Sequence, residues 1–278
     1  MEKLTSILAV AEDAAAGAVV LDKSVLLARA FGAHVDLIVA DTSLLKEFAA
    51  RCSALVYYEV TVCGTPLYSQ ESLQEFLLRQ VSERRPDIVV KAPASPHPLR
   101  SWTLQTNDSE LVRHCPVPIL LAGMKTWATP MRLAAMVDAA TPESTQVARG
   151  ILQSAGFLAL GLRGWLDILY AERERKDERL RMERAVRLAQ LVREYHVGCE
   201  RLQMFDGNPE SRLPPMIRAR NYDLLVVGAG GKSVASKLFE AAESDMLLAK
   251  ASEHARKAAR FVAPSTREEI PYQAEELV

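Results

Sequence analysis

Aromatic side chains are scarce in this sequence, at 6% of 278 residues, so any core must be built from aliphatic groups. An excess of one charge is also missing, with 34 Lys and Arg against 35 Asp and Glu. A chain without a net positive field has no general attraction to nucleic acid or to an acidic lipid surface, and neither is expected as a partner. Cysteines number four (Cys52, Cys63, Cys115, Cys199), with no Cys-x-x-Cys pair, and only Cys115 has an adjacent histidine, His114. That spacing argues against zinc and against a disulfide framework, and it favours reduced, structural thiols in a cytoplasmic protein. Long apolar runs are lacking as well, since none approaches the roughly 18 residues that a membrane span requires. The apolar stretch Leu4 to Ala11 is short and is followed at once by Glu12 and Asp13, unlike a signal peptide.

Aliphatic content is abundant, and 49% of the chain is hydrophobic. The length is long for one α/β domain and fits two of about 140 residues each. Leu4 to Ala11 reads as a buried strand closed by Glu12. An amphipathic helix with Val20, Leu21, Val25, Leu26, Leu27 and Ala30 follows and ends at Gly32, a C-cap. His34 to Ala40 is a second strand, which completes a βαβ unit and implies a parallel sheet. A third strand spans Leu55 to Cys63 and breaks at Gly64-Thr65-Pro66. A helix over residues 69–83 leads through Pro86-Asp87 into a fourth strand, Ile88 to Ala92. The proline-rich stretch from Ala92 to Pro98 is loop. A short helix ends near His114, and Cys115-Pro116-Val117-Pro118 opens a fifth strand, Ile119 to Ala122.

The plan then repeats. Leu133 to Val137 is a strand closed by Asp138, with a helix from Ser144 to about Leu160. The strand Trp165 to Tyr170 precedes a charged helix over residues 172–195. A strand from Cys199 to Met204, a helix reaching Arg220 and the strand Leu224 to Gly228 complete the series. The acid closing strand one recurs from Glu12 to Asp138, an offset of 126, and the Asp opening strand four recurs from Asp87 to Asp223, an offset of 136. Matching strand ends with unequal connections point to an internal duplication. The expected units are residues 1–125 and 131–265, with an acidic, polar tail over 266–278. Two readings of the last strand stay open: Asp245 to Lys250, or Arg260 to Ala263 after a helix from Ser236 to Ala258. The helix reading is preferred, because that stretch is rich in helix formers.

The best candidate for chemistry is Val227-Gly228-Ala229-Gly230-Gly231-Lys232-Ser233, at the carboxyl end of a parallel strand, where open α/β sheets bind ligands. It is not a P-loop, because the required earlier glycine position holds Val226. It is not a dinucleotide fingerprint either, because it follows a fourth strand rather than a first. A glycine-rich turn without a ligand is the equal alternative. His97 and His114 lack catalytic neighbours and read as surface or capping residues. Lys91 is expected at the end of its strand, reaching solvent, with an anionic ligand as the other reading. The alternating charges from Glu172 to Arg179 read as a solvated helix face.

Each half resembles a universal stress protein domain. The resemblance rests on the acid closing strand one, the Gly-x-Pro turn after strand three, the Asp before strand four and the Cys-Pro-x-Pro before strand five. It is carried by Pro86-Asp87-Ile88-Val89-Val90-Lys91-Ala92 and by the run from Thr106 to Pro118, and it extends over residues 4–263. The arrangement in one chain resembles the tandem, E-type branch of that family. The resemblance implies an α/β fold of two tandem doubly wound parallel five-stranded sheets, adenine nucleotide α-hydrolase-like, each in the order 3-2-1-4-5. It also implies that the halves pair through their fifth strands, and that a homodimer forms.

Nucleotide-binding relatives hold ATP with that acid and a Gly-x-x-Gly, followed after nine residues by Gly-Ser/Thr. By resemblance Asp138 would face ribose and adenine, and Gly228, Gly231, Lys232 and Ser233 would lie along the phosphates. Ala241 and Ala242 stand where the second glycine and the hydroxyl belong, followed by Glu243. The first half has Glu12 but Ala92-Pro93-Ala94-Ser95 in place of the glycines, and is not expected to bind nucleotide this way. The expected function is a stress-response binding or regulatory protein without a catalytic site, acting on a protein partner or a small molecule. The alternative is an ATP-binding, slowly hydrolysing switch that uses magnesium in the second half.

Overall fold

The computed structural model describes residues 1, 3–54, 60–64, 72–93, 111–137, 142–172, 178–194, 198–229 and 244–250. In the first half β1 (Ser6–Ala11) is followed by α1 (Ala14–Phe31) and β2 (His34–Val39). Asp13 caps α1 by accepting a hydrogen bond from Ala16 N at 2.8 Å, and Gly32 closes it at φ 68°, the left-handed conformation expected of a C-cap glycine. A 3-10 turn (Thr42–Leu44) and α2 (Leu45–Ser53) lead to β3 (Val60–Gly64). The sequence reading assigned no element between β2 and β3. α3 (Leu73–Arg84) opens with a reciprocal Ser72–Glu75 capping box. β4 (Ile88–Lys91), a helical segment α4 (111–114) and β5 (Ile119–Leu121) complete the half.

The second half repeats the order. β6 (Arg132–Val137), α5 (Pro142–Gly161), β7 (Trp165–Glu172) and α6 (Glu178–Glu194) come first. They are followed by β8 (Arg201–Asp206), α7 (Pro209–Arg220), β9 (Leu224–Gly228) and β10 (Asp245–Ala249). All ten strands form one sheet in the order β3-β2-β1-β4-β5-β10-β9-β6-β7-β8. Each half is parallel within itself and runs 3-2-1-4-5, as expected. The halves meet where β5 and β10 pair antiparallel.

Register shows how closely the halves correspond. Val89 and Ile119 pair in the first half as Leu225 and Met246 pair in the second. Leu120 therefore occupies the place of Leu247, and these two residues pair with each other across the joint. A local two-fold relation passes between them.

The aliphatic core is split by the sheet into two layers, as parallel strands flanked by crossover helices demand. One layer packs beneath α1, α2, α5 and α6, with Leu21, Phe48, Leu152 and Leu188 fully enclosed. The other lies beneath α3, α4 and α7, with Leu77, Leu111 and Leu213. The first layer is continuous across the halves. Phe31 at the end of α1 stacks on Phe157 of α5 at 4.7 Å between centroids, and its ring occupies the space beside Gly161.

The preferred reading of the last segment is corrected. Asp245–Ala249 is a strand, buried at all five positions between β9 and β5, rather than part of a helix. Met, Leu and Ala are good helix formers, but here burial on both faces and pairing on both edges override local propensity. The residues 260–263 offered as the strand lie outside the described residues.

Candidate functional site

Both halves have a topological switch point, between β1 and β4 and between β6 and β9, where strand order reverses and a crevice opens beyond the carboxyl ends. In the second half β6 ends at Val137, immediately before Asp138, and the neighbouring β9 ends at Gly228. The topology therefore sets the carboxyl ends of these two strands side by side. Asp138, Gly231, Lys232 and Ser233, together with Ala241 and Ala242, lie outside the described residues, so Gly228 alone of the five candidates is seen in place.

Gly228 has a packing reason for lacking a side chain. A Cβ there would stand 2.3 Å from Val147 Cγ1 on α5. The next residue is also engaged, because Ala229 N donates to Ala249 O at 2.9 Å. The start of the glycine-rich segment is thus fastened to a helix on one side and to β10 on the other. With β10 beginning at Asp245, only three residues separate Ala241 from the strand. Of the features a polyphosphate needs, the described residues show none committed to an anion.

In the first half the same switch point holds an ion pair. Lys91 Nζ lies 2.7 Å from Glu12 Oε1, with the Lys91 side chain 3% exposed. This corrects the expectation that Lys91 reaches solvent, since an ammonium so buried requires a charged partner and Glu12 supplies it. By register Val10 pairs with Lys91, and in the second half Ala135 pairs with Val226, so the residue equivalent to Lys91 is Val227. The second crevice lacks the strand lysine that fills the first.

The Asp before each fourth strand turns out to be a fastener. Asp87 Oδ2 accepts from Thr5 N at 2.7 Å, Thr5 Oγ1 at 3.0 Å and Ser6 N at 3.1 Å, which pins the start of β1. Asp223 Oδ2 accepts from Arg132 N at 2.9 Å at the start of β6, and its other oxygen lies 3.1 Å from Lys125 Nζ. These carboxylates serve at the amino edge of the sheet, opposite the crevices. Their recurrence in the sequence reports the fold rather than a binding site.

A larger polar cluster joins the halves, and no sequence motif announces it. Asp245, completely buried at the head of β10, accepts from Gly123 N at 2.8 Å, Lys23 Nζ at 2.8 Å and Trp127 Nε1 at 2.7 Å. Burial pushes the Asp245 carboxyl up and the Lys23 ammonium down from their ordinary pKa values, and their mutual attraction opposes both shifts.

No reactive thiol emerges from Cys52, Cys115 or Cys199, which are free, with pKa values raised mainly by burial. His114 is exposed at the end of α4, and His97 lies outside the described residues. Among the described residues no group of three or more His, Cys, Asp or Glu could hold a metal ion, and no helix is long and apolar enough to cross a membrane.

No protein-family model and no curated protein matches the sequence. Solved structures do resemble it. A protein described as a universal stress protein from Pseudomonas aeruginosa UCBPP-PA14 superposes at TM-score 0.75 with 22% identity, over 93% of this chain and 99% of that one. A functionally unknown protein from Pseudomonas aeruginosa PAO1 gives TM-score 0.72 and 22% identity, over 93% and 98%. A universal stress protein from Archaeoglobus fulgidus DSM 4304 gives 0.61 and 11%, over 91% and 98%. Across nearly its whole length, this chain has the universal stress protein fold.

Proposed function

We propose that the protein is a stress-response binding and regulatory protein rather than an enzyme. It would be built from two units, residues 1–125 and 131–265, with a tail over 266–278. The observation that carries this reading is the unequal treatment of the two switch-point crevices. Glu12 and Lys91 neutralise each other inside the first, whereas the second has Val227 where that lysine would stand. With an ion pair at the first switch point, the second is the place offered to a ligand, and the rest of the surface is available to a partner. The partner is a protein or a small molecule, the setting cytoplasmic, and a homodimer is expected.

The second reading is a nucleotide switch. Asp138 would hold the ribose and adenine side, and Gly228, Gly231, Lys232 and Ser233 would line the phosphates of ATP with magnesium. The absence of a strand lysine beside Asp138 favours it. The packing of Gly228 on Val147 and the Ala229–Ala249 hydrogen bond weigh against a closely wrapped triphosphate.

Calorimetric titration of the whole protein with ATP and magnesium separates the readings. Heat that is lost in Asp138→Asn and Lys232→Ala, yet kept in Glu12→Gln, would establish the nucleotide switch in the second unit. No heat from nucleotide-free protein would leave the partner-binding reading, to be pursued by affinity capture with the intact chain.

A further inference from the structure

The joint between the halves carries little register information of its own. Ile119, Leu120 and Leu121 of β5 face Leu248, Leu247 and Met246 of β10, and all six are buried. Side chains on a strand alternate faces with a period of two, so a slip of two residues that opposes Leu120 to Ala249 and Leu121 to Leu248 would again set aliphatic groups against aliphatic groups on the same faces. The stack of Phe31 on Phe157 is a further apolar contact across the halves, and apolar burial has no directional preference of its own.

Directional bonds gather at one end of this joint. Gly123 lies just past β5, Lys23 belongs to α1, and Trp127 stands in the connector between the halves. All three donate to the single carboxylate of Asp245. Lys23 also donates to the Gly123 carbonyl and lies 5.6 Å from the Trp127 ring centroid. At the other end Lys250 Nζ donates to Val112 O of α4. A buried ion pair is weak evidence of stabilisation, because desolvation offsets the attraction, and its best-attested use is to select one arrangement among several.

We infer that the Lys23–Asp245–Trp127 cluster is a register key for the inter-half sheet, selecting the one alignment in which Leu120 faces Leu247. A slip of two residues carries Asp245 away from Gly123 N and Trp127 Nε1 by about 7 Å of strand, which leaves a buried carboxylate without its donors. The key thereby fixes where the carboxyl edge of the second half stands relative to the first.

Paired cysteines read the register directly. Leu121→Cys with Met246→Cys places two thiols on directly opposed residues, whereas Leu121→Cys with Leu248→Cys becomes opposed only after a slip of two. Mild oxidation followed by peptide mapping, which separates these links from those of native cysteines, should give the first link and little of the second in otherwise unaltered protein. In a Lys23→Met, Asp245→Asn background the slipped link should rise about tenfold relative to the native one, the ratio expected for losing one charge-assisted bond. A slipped link that stays absent while the native link still forms would overturn the inference. Should that background fail to fold by circular dichroism, Trp127→Phe removes one directional bond and leaves the ion pair. A measurable slipped link there supports the key, and none refutes it.

Discussion

Lys91 Nζ lies 2.7 Å from Glu12 Oε1 in the crevice at the β1–β4 switch point, where a doubly wound sheet ordinarily receives its ligand. The lysine is 3% exposed and the glutamate 32%, so the two partners are unequal in what their loss would leave behind. Glu12→Gln leaves a buried ammonium facing a neutral amide and should cost about 1–3 kcal/mol, the range for a broken buried pair reduced for the partly solvated glutamate. Lys91→Met removes the charge and keeps an unbranched apolar stem, and should cost less than about 1 kcal/mol. Urea unfolding of the two variants checks the order. Equal losses would mean that the pair is more hydrated than its geometry indicates.

Gly228 is held by packing, and its substitution should act on stability before it acts on any ligand. Gly228→Ala brings a methyl group into Val147 and should destabilise by about 1–3 kcal/mol, the usual cost of overpacking. Val147→Ala opens the space, so the double variant should recover most of the loss. A double-mutant cycle on thermal unfolding tests this, and additive losses would show that the glycine is required for another reason.

Asp223 is fully buried and holds the start of β6, while Asp87 does the same for β1 at partial exposure. Asp223→Ala leaves Arg132 N and the Lys125 ammonium without this acceptor and should cost about 2–4 kcal/mol. Asp87→Ala should cost about 1–3 kcal/mol, since solvent can reach the groups it releases. Hydrogen exchange should quicken first at the amino ends of β6 and β1 respectively. Uniform quickening throughout the sheet would contradict a local fastening.

Tyr222 donates to Asp167 Oδ2 at 2.6 Å, and its phenol pKa is pushed well above the ordinary value, by burial first and by the bond to Asp167 second. A group whose folded pKa is raised releases its proton more readily when unfolded. Its contribution is therefore whole below the unfolded value, about 10, and is lost as pH rises beyond it. Stability should fall above about pH 10 more steeply in the native protein than in Tyr222→Phe. Near neutrality the variant should be weaker by about 1 kcal/mol, for one hydrogen bond. Denaturant midpoints across pH 7 to pH 11 decide it, and parallel curves would remove Tyr222 from the alkaline limb.

The fold was legible because it depends on features that travel with the local sequence. The aliphatic runs, Glu12 closing the first of them, the cap at Gly32, and Asp87 and Asp223 before the fourth strands all keep their places in the structure. α2 escaped notice because it buries only Phe48 and Cys52, too few apolar positions for a periodic signal. The candidate site was less legible. Gly228 looks the same in sequence whether it makes room for a phosphate or for Val147, and only the position of α5 separates the two.

By itself the sequence determined most of the order of strands and helices, their repetition and the aliphatic character of the core, because each follows from periodicity and from turn or cap chemistry over a few residues. Tertiary structure alone decided three things. Residues 245–249 became a strand because β9 and β5 lie on either side to accept their backbone bonds and bury both faces. Lys91 turned inward because Glu12, 79 positions away, met its charge. Asp245, Lys23, Gly123 and Trp127 converged because an antiparallel joint folds the second half back onto the first, and contacts between segments more than a hundred residues apart leave no local trace in either segment.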